Sequence, residues 1–246
     1  MDIRITENAK ELGKVAGLLA AEILRDTLMK QPRARLIVAT GASQFETLAT
    51  LTREAGIDWS RVDGFHLDEY IGLSADHPAS FCGYLRDRFV QKVPIASFHY
   101  LDGLGEPDQV IANACEALRA APIDLALIGI GENGHLAFND PPADFETKAE
   151  YHIVTLDEAC RQQQVGEGWF ATLADVPTRA FSMTVSAIMA AKAIVCSVPD
   201  ERKAIAVRNA IEGPLTPSVP ASILRKHPAL TLVLDKPSAC KLSSKQ

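Results

Sequence analysis

The stretch IDLALIGIGENGHLAFNDPP, residues 123–142, determines the fold expected for this chain of 246 residues. Its first six residues form a short apolar run that ends at a glycine, which is typical of a fully buried strand in a parallel sheet. Gly129, Gly131 and Gly134 then allow the backbone to turn tightly and to approach a ligand closely. A buried strand that opens into such a loop indicates the ligand site of an open α/β sheet.

The loop after this strand carries side chains suited to catalysis. Asn133, His135, Asn139 and Asp140 interrupt an otherwise apolar sequence, and two prolines follow. An imidazole next to a carboxylate can transfer protons near neutral pH. The alternative is a tight turn with a structural histidine, and the repeated polar residues favour the functional interpretation.

Composition limits the class of protein. With 47% hydrophobic residues, the chain can bury a substantial core, and we expect one domain over residues 1–246. The net charge of -6 argues against nucleic acid as a partner but not against a small anion. The five cysteines show no Cys-x-x-Cys pair and no zinc-type spacing, which predicts reduced thiols in the cytoplasm and no metal site. We find neither a signal peptide nor an apolar run of the ~20 residues that a membrane helix needs.

The chain alternates between strand and helix patterns. Apolar residues at helical spacing predict helices over residues 8–29, 44–55, 81–90, 107–120, 157–170 and 204–212, with a short helical turn at 220–225. Apolar or alternating runs predict strands at residues 35–39, 62–67, 97–101, 123–128, 151–156, 180–185, 193–198 and 230–234. This order predicts an α/β fold with a mainly parallel sheet, and the polar tail at residues 238–246 is expected to be loosely ordered.

A second polar turn follows the strand predicted at residues 35–39. It consists of Thr40, Gly41, Ala42 and Ser43. Backbone N–H groups at the start of the following helix can bind a phosphate without any lysine, and the two hydroxyls add donors. Ser43 as an ordinary helix N-cap is an equally good interpretation.

A third polar turn is expected after the strand at residues 62–67. It contains Asp68 and Glu69 next to Tyr70. Taken alone, this turn is better explained as a solvated acidic loop. Because the carboxyl ends of parallel strands meet at one edge of a sheet, however, all three polar turns are expected to converge on one crevice.

Two motifs together resemble the glucosamine-6-phosphate deaminase (isomerase) family, whose relatives include 6-phosphogluconolactonase. They are LDEY at residues 67–70, followed by GL at 72–73, and the pattern GxGxNGHxAFN at residues 129–139. The resemblance extends over residues 36–233 and implies a doubly wound sheet with helices on both faces. It also implies conversion of glucosamine 6-phosphate and water into fructose 6-phosphate and ammonia, without an organic cofactor or a metal.

The resemblance implies roles for residues of both motifs. Asp68 would carry a proton between C2 and C1 of the open sugar, and His135 would open the ring. The family has an aspartate two residues before this histidine and a glutamate five residues after it. Asn133 and Asp140 occupy these positions here, so we expect Asp140 to orient His135.

Further residues are expected to bind the substrate or its phosphate. Glu69 and Gly134 lie within the two motifs, and Lys203 matches the family's phosphate lysine, although a plain surface lysine is the alternative. The family's phosphate-binding arginine is replaced by the sequence VGEG at residues 165–168. Arg161 is the arginine left in this segment, and we expect it either to bind phosphate or to be solvated.

Three functions are compatible with these motifs. The first is a deaminase acting on glucosamine 6-phosphate or on a close relative such as galactosamine 6-phosphate. The second is lactone hydrolysis of the 6-phosphogluconolactonase kind, against which AFND at residues 137–140 and Asp68 argue. The third is a sugar-phosphate sensor without chemistry, against which the lack of a helix-turn-helix segment argues. We expect no activation by N-acetylglucosamine 6-phosphate, and the sequence leaves open whether the chain is a monomer or a homo-oligomer.

Overall fold

The computed structural model describes residues 1–243, and a parallel β-sheet forms the centre of this part. In chain order, the strands of the described residues are β1 (Asp2–Thr6), β2 (Ala34–Val38), β3 (Val62–His66), β4 (Asp68–Tyr70), β5 (Ser97–His99), β6 (Leu125–Ile128), β7 (Tyr151–Thr155), β8 (Arg179–Met183), β9 (Ala193–Val198) and β10 (Leu230–Asp235). Its helices are α1 (Ala9–Lys30), α2 (Phe45–Leu51), α3 (Phe81–Arg88), α4 (Pro107–Arg119), α5 (Glu158–Gly166), α6 (Val185–Met189), α7 (Ala204–Glu212) and α8 (Lys236–Ala239).

Seven of the described strands form the central sheet, in the order β1–β10–β9–β6–β2–β3–β5. All neighbouring strands in it are parallel. From β2 the chain adds β3 and β5 on one side and then returns to place β6 on the other side. The connections that follow β2 and β6 therefore diverge, which opens a crevice at the carboxyl ends of these two strands.

Helices cover both faces of the central sheet. One buried cluster lies between the sheet and α1, α2 and α3, and it includes Leu36 and Leu125. The cluster on the opposite face involves α4, α6 and α7 and includes Ile37 and Ala126. Successive residues of β2 and β6 thus point into different cores, as strands buried on both faces must. The predicted doubly wound α/β fold is confirmed.

Most predicted elements agree with the observed ones to within a few residues. The helix predicted for residues 44–55 ends at Leu51. The helix predicted for residues 157–170 ends at Gly166, and Gly168 then adopts a left-handed φ of 81° that no helix continues through. Strand β1 was not predicted, because it is a short edge strand with mostly exposed residues. None of the helices in residues 1–243 is both long and apolar enough to cross a bilayer.

Strands β4, β8 and β7 form a second, antiparallel sheet in that order. The sequence predicts strands at residues 151–156 and 180–185 but not a separate sheet, because a short apolar run does not specify its partner. Residues 68–70, expected as a turn, form β4 instead, in which Asp68 lies opposite Ser182 of β8. The small sheet therefore carries the first of the two motifs.

Glu69 connects the small sheet to α3. Its carboxylate accepts hydrogen bonds from the backbone N–H groups of Tyr70 (2.8 Å), Phe81 (3.2 Å) and Cys82 (2.6 Å) and from the hydroxyl of Ser80 (2.8 Å). Burial raises the pKa of Glu69 in spite of these bonds. A carboxylate at a helix N-terminus is favourable, and both of its oxygens are occupied here. The side chain of Glu69 thus holds the fold together and lies outside the cavity lining, and its contact with a substrate stays a prediction.

The predicted loose tail is wrong for residues 238–243. Asp235 caps α8 by accepting a hydrogen bond from the N–H of Ser238 at 2.9 Å, and Ser238 is fully buried. Leu242 packs against the core on the α4 face of the sheet. A polar sequence can thus be anchored by one cap and one apolar side chain. Residues 244–246 of the predicted tail lie outside the described residues.

The Glu69→Gln variant is expected to lower the free energy of unfolding by about 1–3 kcal/mol. Each kcal/mol lost corresponds to a decrease of roughly 2–4 °C in Tm. The amide nitrogen would face N–H donors that the carboxylate now satisfies. Thermal and urea unfolding measure the change. The neighbouring Asp68→Asn variant is the matched control, because burial already favours the neutral form of that carboxyl. Equal stability of Glu69→Gln and wild type would contradict this role.

Candidate active site

A cavity of about 530 Å³ opens at the carboxyl ends of β2 and β6. Its volume is in the range of small-molecule sites. Seven of the residues expected in the site line it, namely Thr40, Gly41, Ala42, Ser43, Asp68, His135 and Lys203. The expected convergence of the three polar segments on one crevice is confirmed.

The segment at residues 40–44 is tied to both neighbouring elements. Gly41 has a left-handed φ of 87°, and its carbonyl accepts hydrogen bonds from the Tyr84 hydroxyl (3.1 Å) and the Gln44 N–H (3.0 Å). The buried Gln44 donates from Nε2 to the carbonyl of Ile128 at the end of β6 (3.0 Å). A 3-10 turn at Ala42–Gln44 precedes α2, so the alternative of Ser43 as a helix N-cap is wrong.

Gly129 lies where the first two turns meet. A Cβ atom at Gly129 would lie 2.8 Å from Oγ of Ser43, so a larger residue would displace this hydroxyl. The turn after β2 and the turn after β6 therefore pack directly against each other.

Asp68 is a buried acid rather than part of a solvated loop. Only 6% of its surface is exposed, and its Oδ1 accepts no hydrogen bond from any residue in the described part of the chain. Burial, with a smaller contribution from the charge of Glu69, raises the pKa of Asp68 to about 8. A carboxyl whose pKa lies near neutrality in a cleft is suited to accept and return a proton.

The histidine loop holds the imidazole of His135 at the cavity wall. The ring lies so close to Gly131 that a Cβ atom there would be 2.2 Å from Nε2. Asn133 accepts a hydrogen bond from the His135 N–H (3.0 Å) and donates one from Nδ2 to Oδ1 of Asp140 (3.0 Å). Nδ1 of His135 lies 3.2 Å from the same oxygen, which is an ion-pair distance. Asp140 and the neutral amide of Asn133 thus orient the imidazole together.

Two opposing effects act on the pKa of Asp140. Burial raises it, but the contacts with His135 and Asn133 lower it more, so that the pKa lies below its ordinary value. An ionised carboxylate therefore lies beside the imidazole at neutral pH.

Strand β8 positions both motifs. Ser182 lies opposite Asp68 in the antiparallel sheet, and its Oγ accepts a hydrogen bond from the N–H of Phe138 (3.1 Å). Asn139 donates from Nδ2 to the carbonyl of Met183 (2.8 Å). Because one strand holds the acid and the histidine loop, the two catalytic candidates are fixed relative to each other.

Lys203 lies in a 3-10 turn before α7, and its side chain lines the cavity. Only 9% of its surface is exposed, so the alternative of a plain surface lysine is wrong. Its ammonium lies 3.4 Å from Oε1 of Glu167 and 3.7 Å from Oε1 of Glu132. Arg202 also lines the cavity and pairs with Asp200 at 2.8 Å.

Glu167 is held in place beside Lys203. Gln163 donates to its Oε1 (2.8 Å), and the indole N–H of Trp169 donates to its Oε2 (3.3 Å). A fixed carboxylate thus lies beside the ammonium and offsets part of the positive charge that Lys203 presents to the cavity.

Arg161 and Gly134 do not line the cavity. The guanidinium of Arg161 donates from Nη2 to the carbonyls of Leu173 (2.6 Å) and Val176 (3.1 Å), because α5 directs it toward the segment before β8. Gly134 has a left-handed φ of 87°, and its carbonyl accepts a hydrogen bond from the N–H of Ala221 (2.9 Å). The structure therefore places neither residue at the cavity, and their contacts with a phosphate stay a prediction.

Four polar residues were not expected in the site. Gln163, Glu167 and Arg202 line the cavity, and Gln44 ties the turn after β2 to β6. All four lie in or beside predicted helices, where polar side chains normally face solvent. The run of glutamines at residues 162–164, followed by Glu167, was the available signal, because consecutive polar residues occupy the inner as well as the outer face of a helix.

The model of the family described as glucosamine-6-phosphate isomerases/6-phosphogluconolactonase matches residues 7–233. The chain belongs to this family. The glucosamine-6-phosphate deaminase of Thermoanaerobacter pseudethanolicus, a family relative, is 36% identical over 249 residues, which cover 97% of this chain and 94% of the relative. The deaminase of Lactobacillus delbrueckii subsp. bulgaricus is 35% identical over 243 residues, covering 98% and 100%.

Solved structures of the family agree with this assignment. A monomeric glucosamine-6-phosphate deaminase superimposes with a TM-score of 0.88 at 30% identity, covering 98% of this chain and 100% of that one. A 6-phosphogluconolactonase from Shewanella baltica has a TM-score of 0.77 at 20% identity, covering 96% and 97%, and shows a common fold alone. The resemblance inferred from the sequence is confirmed.

The Glu167→Gln variant is expected to bind anions in the cavity more tightly, by about tenfold, which corresponds to about 1.4 kcal/mol. The amide oxygen keeps one of the two hydrogen bonds that Glu167 accepts, and the substitution removes the negative charge beside Lys203. Titration with inorganic phosphate and with a non-reactive sugar phosphate measures the change.

The matched control is Glu158→Gln, which removes an exposed charge from the same helix. If both variants bind phosphate as the wild type does, Glu167 does not compete for the lysine.

Proposed function

We propose that this protein is a glucosamine-6-phosphate deaminase, which converts glucosamine 6-phosphate and water into fructose 6-phosphate and ammonia. The observation that carries the proposal is that Asp68 and His135 open onto one cavity whose wall also holds Lys203. The identity of about 35% to deaminases over nearly the whole chain supports it.

Ring opening is the first step and falls to His135. Asp140 stands on the Nδ1 side of the imidazole, which leaves Nε2 for the sugar. Nε2 takes the proton of the anomeric hydroxyl, and the protonated ring delivers a proton to the ring oxygen. The ionised Asp140 stabilises the imidazolium between these two transfers.

Asp68 carries out the isomerisation. Its carboxylate removes the proton from C2 of the open sugar and returns it to C1. The oxygen at C1 gains a proton as the amino nitrogen at C2 loses one, so that C1 becomes an alcohol carbon and C2 an imine. Water adds to this imine, and ammonia leaves. Lys203 and the N–H groups at residues 41–43 hold the phosphate during these steps.

Hydrolysis of a phosphogluconolactone does not need a proton-transfer carboxylate. Asp68 is buried, and its raised pKa suits it to proton transfer, which favours the deaminase. Galactosamine 6-phosphate differs from glucosamine 6-phosphate only in the configuration of C4, and we propose the gluco isomer because the relatives act on it. The absence of activation by N-acetylglucosamine 6-phosphate stays a prediction.

Incubation of the purified protein with each substrate separates the three functions. Ammonia and fructose 6-phosphate formed from glucosamine 6-phosphate by the wild type, but not by Asp68→Asn, support the proposal. Hydrolysis of 6-phosphogluconolactone without release of ammonia from either amino sugar would refute it, and so would tight binding of the amino-sugar phosphates without turnover.

The value of kcat/KM for glucosamine 6-phosphate is expected to rise with pH up to about 8. Asp68 must lose its proton before it can remove one from C2, and burial keeps it protonated below its pKa. At one pH unit below that pKa, roughly a tenth of the free enzyme is in the active form. Initial rates at low substrate, measured two pH units to either side, test this, and a flat profile would exclude Asp68 as the base.

The Asp140→Asn variant is expected to lower kcat by about ten- to a thousandfold, on the scale of general acid–base contributions. An amide cannot stabilise the imidazolium, whereas substrate contacts are kept, so KM should change little. Steady-state kinetics measure both constants. Glu146→Gln, an exposed change in the same loop, is the control. Unchanged kcat in Asp140→Asn would remove this residue from the mechanism.

A further inference from the structure

Three side chains that can bind a metal meet behind the imidazole of His135. They belong to His135, Asp140 and Cys160, and one ligand atom from each lies within 4.8 Å of the other two. Cys160 is the third residue of α5 and is buried, with 1% of its surface exposed. His135 also lines the cavity, so the group lies directly behind the cavity wall.

Two buried atoms of this group have no hydrogen-bond partner. Within the part of the chain that the structure describes, neither Nδ1 of His135 nor Oδ2 of Asp140 makes a hydrogen bond. The 3.2 Å contact between Nδ1 and Oδ1 of Asp140 has the distance of an ion pair but not the alignment of a hydrogen bond. Buried polar atoms are nearly always satisfied, so these two atoms lack a partner that a bound ion would supply.

The spacing and the atom types fit a zinc-like ion. Zinc binds histidine nitrogens and carboxylate oxygens at about 2.0–2.2 Å, so two such ligands at a tetrahedral angle lie about 3.3 Å apart. The observed separation of Nδ1 and Oδ1 is 3.2 Å. A thiolate selects zinc-like ions over magnesium and calcium. Three protein ligands also leave a fourth position for water, as in zinc sites that exchange ligands.

We propose that His135, Asp140 and Cys160 form a binding site for a thiophilic divalent cation of the zinc class, and that this cation inhibits the enzyme. On binding, the Cys160 thiol releases its proton to solvent, and the ion occupies Nδ1 of the imidazole. The ion thereby takes both the nitrogen and the carboxylate that support ring opening. The inhibition rests on the proposed function, whereas the binding does not.

Cobalt(II) is the probe for binding, because it replaces zinc in such sites and its bond to a thiolate absorbs in the near ultraviolet. The full-length wild-type protein, titrated with cobalt(II) chloride, is expected to show this band. The band should be absent from Cys160→Ser, which keeps the size of the side chain. It should be retained in Cys240→Ser, which removes an exposed cysteine elsewhere.

A second variant keeps the test valid if Cys160→Ser does not fold. Asp140→Asn removes another ligand, and competition with cobalt measures the zinc affinity of this variant. We expect the affinity to fall more than about tenfold, because even residues that only hydrogen-bond to a metal ligand contribute about 10–100-fold. Loss of zinc affinity in that variant supports the site. A wild type without the band, or a band that persists in Cys160→Ser, would overturn it.

Turnover separates this inference from the proposed function. Zinc is expected to inhibit ammonia release by the wild type and by Cys240→Ser at concentrations that occupy the site. Full turnover at saturating zinc would overturn the inhibition. A cobalt–thiolate band in a protein that turns over no amino-sugar phosphate would support the metal site and refute the deaminase.

Discussion

The parallel pairing of β2 with β6 is the constraint on which the rest of the site depends. The chain leaves these two strands in opposite directions, so no connection covers their carboxyl ends. The close contact of Gly129 with Ser43, and the hydrogen bond from Gln44 to Ile128, fix the two turns against each other. The segment at residues 40–44 and the histidine loop lie at this junction, and β8 holds Asp68 beside it.

The small antiparallel sheet buries a carboxyl group next to the junction. Asp68 lies between a paired strand and the apolar residues of the core, where burial opposes its ionisation. The adjacent Glu69 is equally buried but accepts four hydrogen bonds. The two neighbouring acids thus have different roles. Glu69 accepts hydrogen bonds from the start of α3, whereas Asp68 faces the cavity.

The sequence was sufficient for the sheet, for the histidine loop and for the convergence of Asp68, His135 and Lys203, because strand ends and glycine-rich turns are local patterns with a fixed geometric consequence. It was insufficient where the outcome depended on side-chain direction. Arg161 and Glu167 lie on the same helical segment, and only the packing of α5 decides which one reaches the cavity. The sequence did not indicate Cys160 as a metal ligand, because His135 and Asp140 are close to it in space but far from it along the chain.

The carboxylate of Glu167 also affects which molecules the cavity retains. Cells contain many phosphorylated compounds at high concentration, and a bare cationic pocket would hold any of them. Here the charge of Glu167 stands beside Lys203 and weakens the attraction of the cavity for a phosphate group alone. A molecule that makes further contacts in the cavity can offset this loss, so Glu167 favours recognition of a whole molecule over recognition of its phosphate.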